Sequence, residues 1–400
     1  MLTEQQRSGV RKFVYKGRDD SLVYKYFLSP FAQFILDALI PPWMAPNVIT
    51  TIGLFSNIVV VVLVAVYNPE LSEDSPHSGW LALISALSMF LYQTFDNMDG
   101  KQARKTNSAS PLGLLYDHGC DALNVGLSIL PVASALGLGW KPERMLFNLI
   151  PFIPFYTQTW ELFYVDEMVL PIINGPSDGL LLAMSMMLTT FWRGNAKWFH
   201  EEWQAFSMTQ TKISFVPLQL MTSLALFGAF VTGVIQLKTV FKKLSHIKKP
   251  MWEAIGSLMP FVVFYCSVLF WLSSPNTKAF YPENRAWTLV LVSSVFVEIV
   301  SHINFAHITM EARLRPLERY MVLCPAYLAL SVQPFFRELI PVPNLEFIFG
   351  EERMLAVFST ICLCVTLRMM HQMNIEVAEC LGINVFVMGP RGDNFVKKVD

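Results

Sequence analysis

Four aspartates are the residues most able to do chemistry in this chain. They stand in the stretch 96–121, which reads DNMDGKQARKTNSASPLGLLYDHGCD inside otherwise apolar sequence. Asp96 and Asp99 are three residues apart, and Asp117 and Asp121 are four apart. On helices each pair shares a face. Carboxylates at a membrane are costly unless a cation or a wet cavity compensates them. Hard oxygen donors grouped in this way suit Mg²⁺, Mn²⁺ or Ca²⁺ and not a thiolate-seeking metal.

The elements that must position these residues are membrane helices. Of the 400 residues 53% are hydrophobic and only 15% are charged, where a soluble protein carries about 25% charged residues. The expectation is an all-α, polytopic membrane protein. Ten apolar segments fall at 48–67, 80–98, 112–138, 145–165, 177–192, 214–237, 252–273, 287–309, 320–336 and 354–376, each near the ~20 residues that cross a bilayer as a helix. Strand-like alternation is absent, and backbone groups cannot stay unpaired in lipid. Asp96 and Asp99 then close the second span, Asp117 and Asp121 open the third, and Lys101 to Ser110 form a polar turn between them. Ser110 before Pro111 reads as a helix cap with proline at the first helical position. Upstream, Phe27, Phe31, Phe34, Ile35, Ala38 and Leu39 recur at helical spacing, interrupted by Lys25 and Asp37. This is an amphipathic helix, lying on the bilayer or packed on the protein, and Pro41 and Pro42 end it.

Positive charge orients the chain. With the N-terminus inside, cytosolic segments hold 20 Lys and Arg against nine on the opposite side, Arg368 lying within the last span. That bias puts both aspartate pairs on the cytosolic side. The formal charge of −1 does not identify a partner, and nucleic acid is not expected. The six cysteines lie in or beside apolar spans, which argues against a disulfide framework or a zinc site. The basic, mixed opening residues do not read as a cleavable signal peptide.

Written as spacing, the aspartate stretch is D-x2-D-G-x2-A-R-x8-G-x3-D-x3-D, formed by Asp96, Asp99, Gly100, Ala103, Arg104, Gly113, Asp117 and Asp121. It resembles the signature of the CDP-alcohol phosphotransferase family, with every fixed position present. Further stretches are similar to the eukaryotic choline/ethanolaminephosphotransferase branch: W-x-x-P-N-x-x-T at Trp43 to Thr50, D-H-G-C-D at Asp117 to Asp121, and Asn174-Gly175-Pro176-Ser177-Asp178-Gly179. Two positions depart from that branch, since Leu114 and Asp178 stand where it usually has glutamate.

The resemblance implies two divalent cations, Mg²⁺ or Mn²⁺, held by Asp96, Asp99, Asp117 and Asp121. It implies CDP-choline or CDP-ethanolamine as donor and diacylglycerol as acceptor, giving phosphatidylcholine or phosphatidylethanolamine and CMP. It divides the chain into a cytosolic tail and interfacial helix (1–47), CDP-alcohol phosphotransferase catalytic helices (48–240) and C-terminal transmembrane helices with a cytosolic tail (241–400). A six-helix catalytic bundle with four C-terminal helices is expected, with a homodimer contact among the latter. The expected place is the endoplasmic reticulum membrane, with the Golgi as the alternative.

Residue chemistry fits this frame. Gly100, Ala103 and Gly113 lack bulk, so a nucleotide can approach the helix backbones. Arg104 can pair with phosphate oxygens. Asn47, in the first similar stretch, joins the expected substrate-binding set. Glu161 beside Trp160 can cradle an amine, or the two are an interfacial aromatic and a snorkelling acid. His118 is the leading candidate for the base that takes the acceptor's proton, oriented by Asp178, and Asp121 is the other candidate; the alternatives are a His118 that only braces Asp117 or Asp121 and an Asp178 that caps its own helix start. Glu298, His302 and His307 share the eighth span, as cavity lining or as helix–helix hydrogen-bonding groups. Choline and ethanolamine are not distinguished. Readings of other kinds are a different CDP-alcohol phosphatidyltransferase, an ion or metabolite transporter, and a catalytically silent lipid-binding homologue.

Overall fold

The computed structural model describes residues 2–206, 212–273, 282, 284–314 and 351–389. The chain opens with α1 (Glu4–Lys12), started by a reciprocal cap between Thr3 and Gln6, then β1 (Gly17–Asp19) and the amphipathic α2 (Ser29–Leu39). Ala32 and Leu36 of α2 are buried, while Phe34 and Leu39 are exposed. Next come α3 (Pro46–Tyr67), α4 (Ser78–Lys105), α5 (Pro111–Leu127), α6 (Ile129–Ala135), the short α7 (Pro142–Met145) and α8 (Phe152–Val165). After β2 (Met168–Leu170) follow α9 (Leu180–Arg193), the hairpin β3 (Trp203–Phe206) and β4 (Lys212–Phe215), α10 (Pro217–His246), α11 (Met251–Ser273), α12 (Arg285–Ile308) and α13 (Glu351–Leu381). The protein is an all-α polytopic membrane protein, and among the described residues its few strands form two two-stranded sheets.

The ten expected spans are not alike. Six are continuous helices long and apolar enough to cross a membrane: α3, α4, α10, α11, α12 and the Leu355–Leu381 part of α13. The span expected at 112–138 breaks at Ser128, where α5 gives way to α6. Pro131 stands in the first turn of α6, where a missing amide costs least. The span expected at 145–165 becomes a tight turn at Leu146–Leu149 followed by α8, with Pro151 and Pro154 at the join. The fifth begins as a wide π-turn at Gly175–Gly179 and continues as α9. The expected span 320–336 lies outside the described residues.

The helix ends sort onto two sides. On one side lie the C-terminus of α4, the N-terminus of α5, α1 and α2. Lys101 Nζ donates to Ser29 Oγ at 2.8 Å and Lys105 pairs with Asp37 at 2.6 Å, which fixes α2 under the end of α4. The other side carries the loop 68–79, the α6–α7 connection and the start of α12, joined by the Arg285–Glu70 ion pair at 2.6 Å.

Helix α12 is the most buried of the six continuous spans. Its Val295, Phe296, Val297, Ile299 and Val300 are fully enclosed, and Phe296 stacks on Phe152 of α8 with centroids 4.2 Å apart. Lipid is as apolar as these side chains, so close packing holds such helices together. Gly126 shows how close α5 and α12 come: an added Cβ would lie 2.5 Å from Ser293 Oγ. Toward the other end of the same contact, α5 meets α12 at His118.

Candidate active site

The aspartate pairs meet where α4 ends and α5 begins. Carboxylate oxygens of Asp96, Asp99 and Asp117 all lie within 4.8 Å of one another. Asp121 sits one turn deeper on α5 and contacts Asp96. Its Oδ1 accepts a hydrogen bond from Tyr92 Oη at 2.7 Å. Asp99 accepts one from Thr50 Oγ1 of α3. The polar turn is built as the sequence implies, with the Ser110 side chain capping Gly113 N. Gln93 Nε2 donates to Pro176 O at 2.7 Å and ties α4 to the start of α9.

The other expected residues divide. Arg104 is exposed and lies along Gly100, where an added Cβ would be 3.5 Å from its Nη1. Among the described residues no ion pair joins Arg104 to the four aspartates. Asn47 is held by the C-terminal segment, its Nδ2 donating to Val385 O at 2.9 Å, and its Oδ1 faces the open side of Gly113. Ala103 lies on the same partly exposed helix end. Glu161 instead contacts Gln158 and Thr239. Trp160 is fully buried with its indole N–H on Ser257 Oγ, so its ring is not free to cradle an amine.

The expected His118–Asp178 contact does not form. Asp178 Oδ2 accepts from Asn174 N at 3.0 Å, and Asn174 Oδ1 accepts from Ser177 N at 2.8 Å. The free amides at a helix start compete for a nearby carboxylate, and this reciprocal cap wins. The group facing His118 is Asn304 of α12, whose Oδ1 lies 3.3 Å from Nδ1. With that oxygen as acceptor the ring carries its proton on Nδ1, which leaves Nε2 as the basic nitrogen.

Four residues of the site are not among those the sequence marks as functional. Thr50 and Tyr92 lie inside or beside stretches that resemble the family, and that was their signal. Asn304 had none. Nor did Tyr15, whose ring meets His118 edge-on with centroids 6.4 Å apart. Desolvation first, then the charges of Asp117, Asp96 and Asp121, raise the Tyr15 phenol above its ordinary value, so it stays a protonated donor. Of the histidines on α12, His307 lies edge-on to Phe13 at 4.9 Å. Glu298 is fully buried.

Comparison with known proteins decides the family. The model of the CDP-alcohol phosphatidyltransferase family matches residues 43–153. Choline/ethanolaminephosphotransferase 1 of Arabidopsis thaliana is 37% identical over 287 residues, covering 69% of this chain and 71% of that protein. The chain belongs to the CDP-alcohol phosphatidyltransferase family. Choline/ethanolaminephosphotransferase 1 of Saccharomyces cerevisiae is 34% identical over 276 residues, 66% of this chain and 69% of its own. An uncharacterized class-I family protein of Dictyostelium discoideum is 32% identical over 327 residues, 78% and 81% of the two chains. The stretch matched by the family model holds all four aspartates, Asn47, Thr50, Tyr92 and His118. Tyr15, Asp178 and Asn304 lie outside it.

A divalent cation fits these residues. Asp117 Oδ1 is buried without a hydrogen-bond partner. Such an oxygen, beside two more carboxylates, lacks compensation that a hard cation supplies.

Proposed function

We propose that this protein transfers phosphocholine or phosphoethanolamine from CDP-choline or CDP-ethanolamine to diacylglycerol. The acceptor's hydroxyl oxygen forms the new bond to the phosphorus that carries the alcohol, the bond from that phosphorus to CMP breaks, and the hydroxyl proton passes to the protein. The observation that carries this reading is the convergence of Asp96, Asp99 and Asp117 around an uncompensated carboxylate oxygen, in a chain similar to proteins named for this chemistry.

Two divalent cations, Mg²⁺ or Mn²⁺, held by Asp96, Asp99, Asp117 and Asp121, would neutralise the donor's pyrophosphate and polarise the phosphorus. The remaining work belongs to the side chains. Thr50 and Tyr92 hold Asp99 and Asp121 in place, which preorganises the acidic cluster. Gly100, Ala103 and Gly113 let the nucleotide lie against both helix ends, where Arg104 can turn onto its phosphates and Asn47 faces the gap. His118 takes the acceptor's proton on Nε2, its tautomer fixed by Asn304. A second reading gives the proton to Asp121, one turn beyond Asp117 on α5, where Tyr92 orients one oxygen and Asp96 lies in contact. The Lys and Arg bias supports a cytosolic site, and the family resemblance supports the endoplasmic reticulum membrane.

The test uses purified protein in diacylglycerol-containing micelles with Mg²⁺, following CMP and phospholipid from each donor. Equal amounts of CMP and phospholipid with at least one donor, lost in Asp121→Asn, is the expected result. If His118→Ala keeps the wild-type rate, Asp121 is the base. Failure of both donors to give phospholipid contradicts the proposal.

A further inference from the structure

The segment before the first membrane helix passes beside His118, the neighbour of Asp117 on α5, and is tied down on both sides of it. On one side α1 docks on the ends of α12 and α13. Gly9 lies so near Thr309 that an added Cβ would sit 2.0 Å from its carbonyl oxygen. Gln6 Nε2 donates to Glu311 Oε1 at 2.9 Å, and Val10 and Phe13 are buried among Leu112, Leu115, Met369 and Met373. On the other side β1 pairs in parallel with β2, Gly17 opposite Met168 and Asp19 opposite Leu170. Asp19 then accepts from Asn174 Nδ2 at 2.9 Å and from Ser177 Oγ at 2.6 Å, at the turn that starts α9.

Between these anchors stands Tyr15. One edge of its ring faces His118, and its hydroxyl reaches Met168 Sδ at 3.2 Å. The ring folds back over Gly17, where an added Cβ would lie 2.4 Å from the phenol oxygen. Tyr15 is still 43% exposed, so it forms a wall between the site and the aqueous side and is not a core residue. A strap secured this fully, with one aromatic ring set against His118 beside the aspartate cluster, has a use in a transferase. Water and the acceptor's hydroxyl compete for the same phosphorus. If water's oxygen attacks, the bond to CMP breaks as before, a proton leaves the water, and the product is phosphocholine or phosphoethanolamine with no lipid formed. Covering the reacting centre suppresses that side reaction.

We propose that the 13–20 strap is a working part of the active site, and that Tyr15 is a positioning residue which favours transfer to the lipid hydroxyl over transfer to water. This rests on the transferase reading above. The aromatic ring, more than its hydroxyl, performs the exclusion, because the hydroxyl's partner is a weak sulfur acceptor outside the acidic cluster.

The test compares wild type, Tyr15→Ala and Tyr15→Phe in micelles with Mg²⁺ and the donor that wild type uses, measuring CMP with and without diacylglycerol together with phospholipid. Wild type yields CMP and phospholipid one to one, and little CMP without acceptor. Tyr15→Ala is expected to raise the ratio of CMP to phospholipid, with acceptor-independent CMP release up about tenfold relative to transfer. Tyr15→Phe is expected to keep the wild-type ratio. Asp19→Ala, which loosens the strap's far anchor without entering the site, is expected to move the ratio the same way by a smaller factor, and it keeps the test open should Tyr15→Ala not fold. A ratio unchanged in Tyr15→Ala or, failing that variant, in Asp19→Ala overturns the proposal, since a merely structural role lowers transfer and hydrolysis together. Absence of phospholipid from wild type would instead overturn the transferase reading, which separates the two failures.

Discussion

Two clusters of acidic residues, at opposite ends of this helical bundle, are handled in opposite ways. At the end away from α1, acids are matched by cations: Glu70 with Arg285 at 2.6 Å, Asp74 with Lys197 at 2.8 Å, and Glu73 with Arg144 at 3.8 Å and His200 at 3.4 Å. Arg285 also lies over the Trp140 ring, 5.2 Å from its centroid. At the α4–α5 end four aspartates gather, and the nearby Arg104 stays exposed and unpaired with them among the described residues. The first end is electrostatically closed. At the second, cations pair with other acids, Lys105 with Asp37 at 2.6 Å and Lys25 with Asp20 at 3.1 Å, while among the described residues the four aspartates have no ion pair and their neighbours are hydroxyls that orient carboxylates without neutralising them. Within one bundle, this difference separates charges that organise structure from a carboxylate cluster of the kind a cation would compensate.

The largest effect should come from removing a carboxylate at the open end. Asp117→Asn or Asp96→Asn is expected to cut transfer by about a thousandfold, because metal neutralisation of the reacting phosphate contributes several kcal/mol. The folded protein should persist, since the change relieves like-charge repulsion. Glu70→Gln at the closed end is the counterpart. Its carboxylate is 65% exposed, so the loss should be about 0–1 kcal/mol of stability with transfer unchanged. A large activity loss in Glu70→Gln, or none in Asp117→Asn, would break the contrast.

A smaller effect is expected from Asn304→Leu. Without the amide oxygen, His118 loses the group that fixes its tautomer, and kcat should fall by about ten- to a hundredfold. KM for the donor should change little, because Asn304 faces the ring and not the gap between α4 and α5. A fall confined to KM would mean that Asn304 acts on the nucleotide. Smaller again is the cap at the α5 start. Ser110→Ala removes the side-chain acceptor of Gly113 N and should cost about 1 kcal/mol of stability, read as a lower Tm.

Much of this was legible in the sequence, for identifiable reasons. Charge composition and apolar length gave the membrane class, because lipid leaves few ways to satisfy a backbone. The aspartate spacing gave the junction, because three- and four-residue offsets on a helix leave side chains little freedom in direction. The Ser110–Pro111 cap follows from the same local rules. Where the structure differs from the sequence expectation, a local cap is the cause in one case and the meeting of distant segments in the others. Asp178 has the charge to orient His118, but its own helix start offers it a nearer donor. Asn304 lies 186 residues from His118, and an asparagine within an apolar span carries no mark of its partner. Tyr15 lies in a basic opening stretch that reads as a tail, and only the pairing of β1 with β2 brings it over the site. The broken third and fourth spans were signalled by Pro131, Pro151 and Pro154, which apolar length alone does not weigh.

The contrast between the two ends is tested most directly by thermal unfolding of the purified protein, without substrate, across a range of Mg²⁺ concentrations. A cation that binds only the folded state stabilises it by about 2.7 kcal/mol at a hundred times its Kd. A saturable rise in Tm is expected for wild type and for Glu70→Gln, and none for Asp117→Asn. A rise that survives in Asp117→Asn, or one lost in Glu70→Gln, would contradict the claim that the α4–α5 end is the cation site.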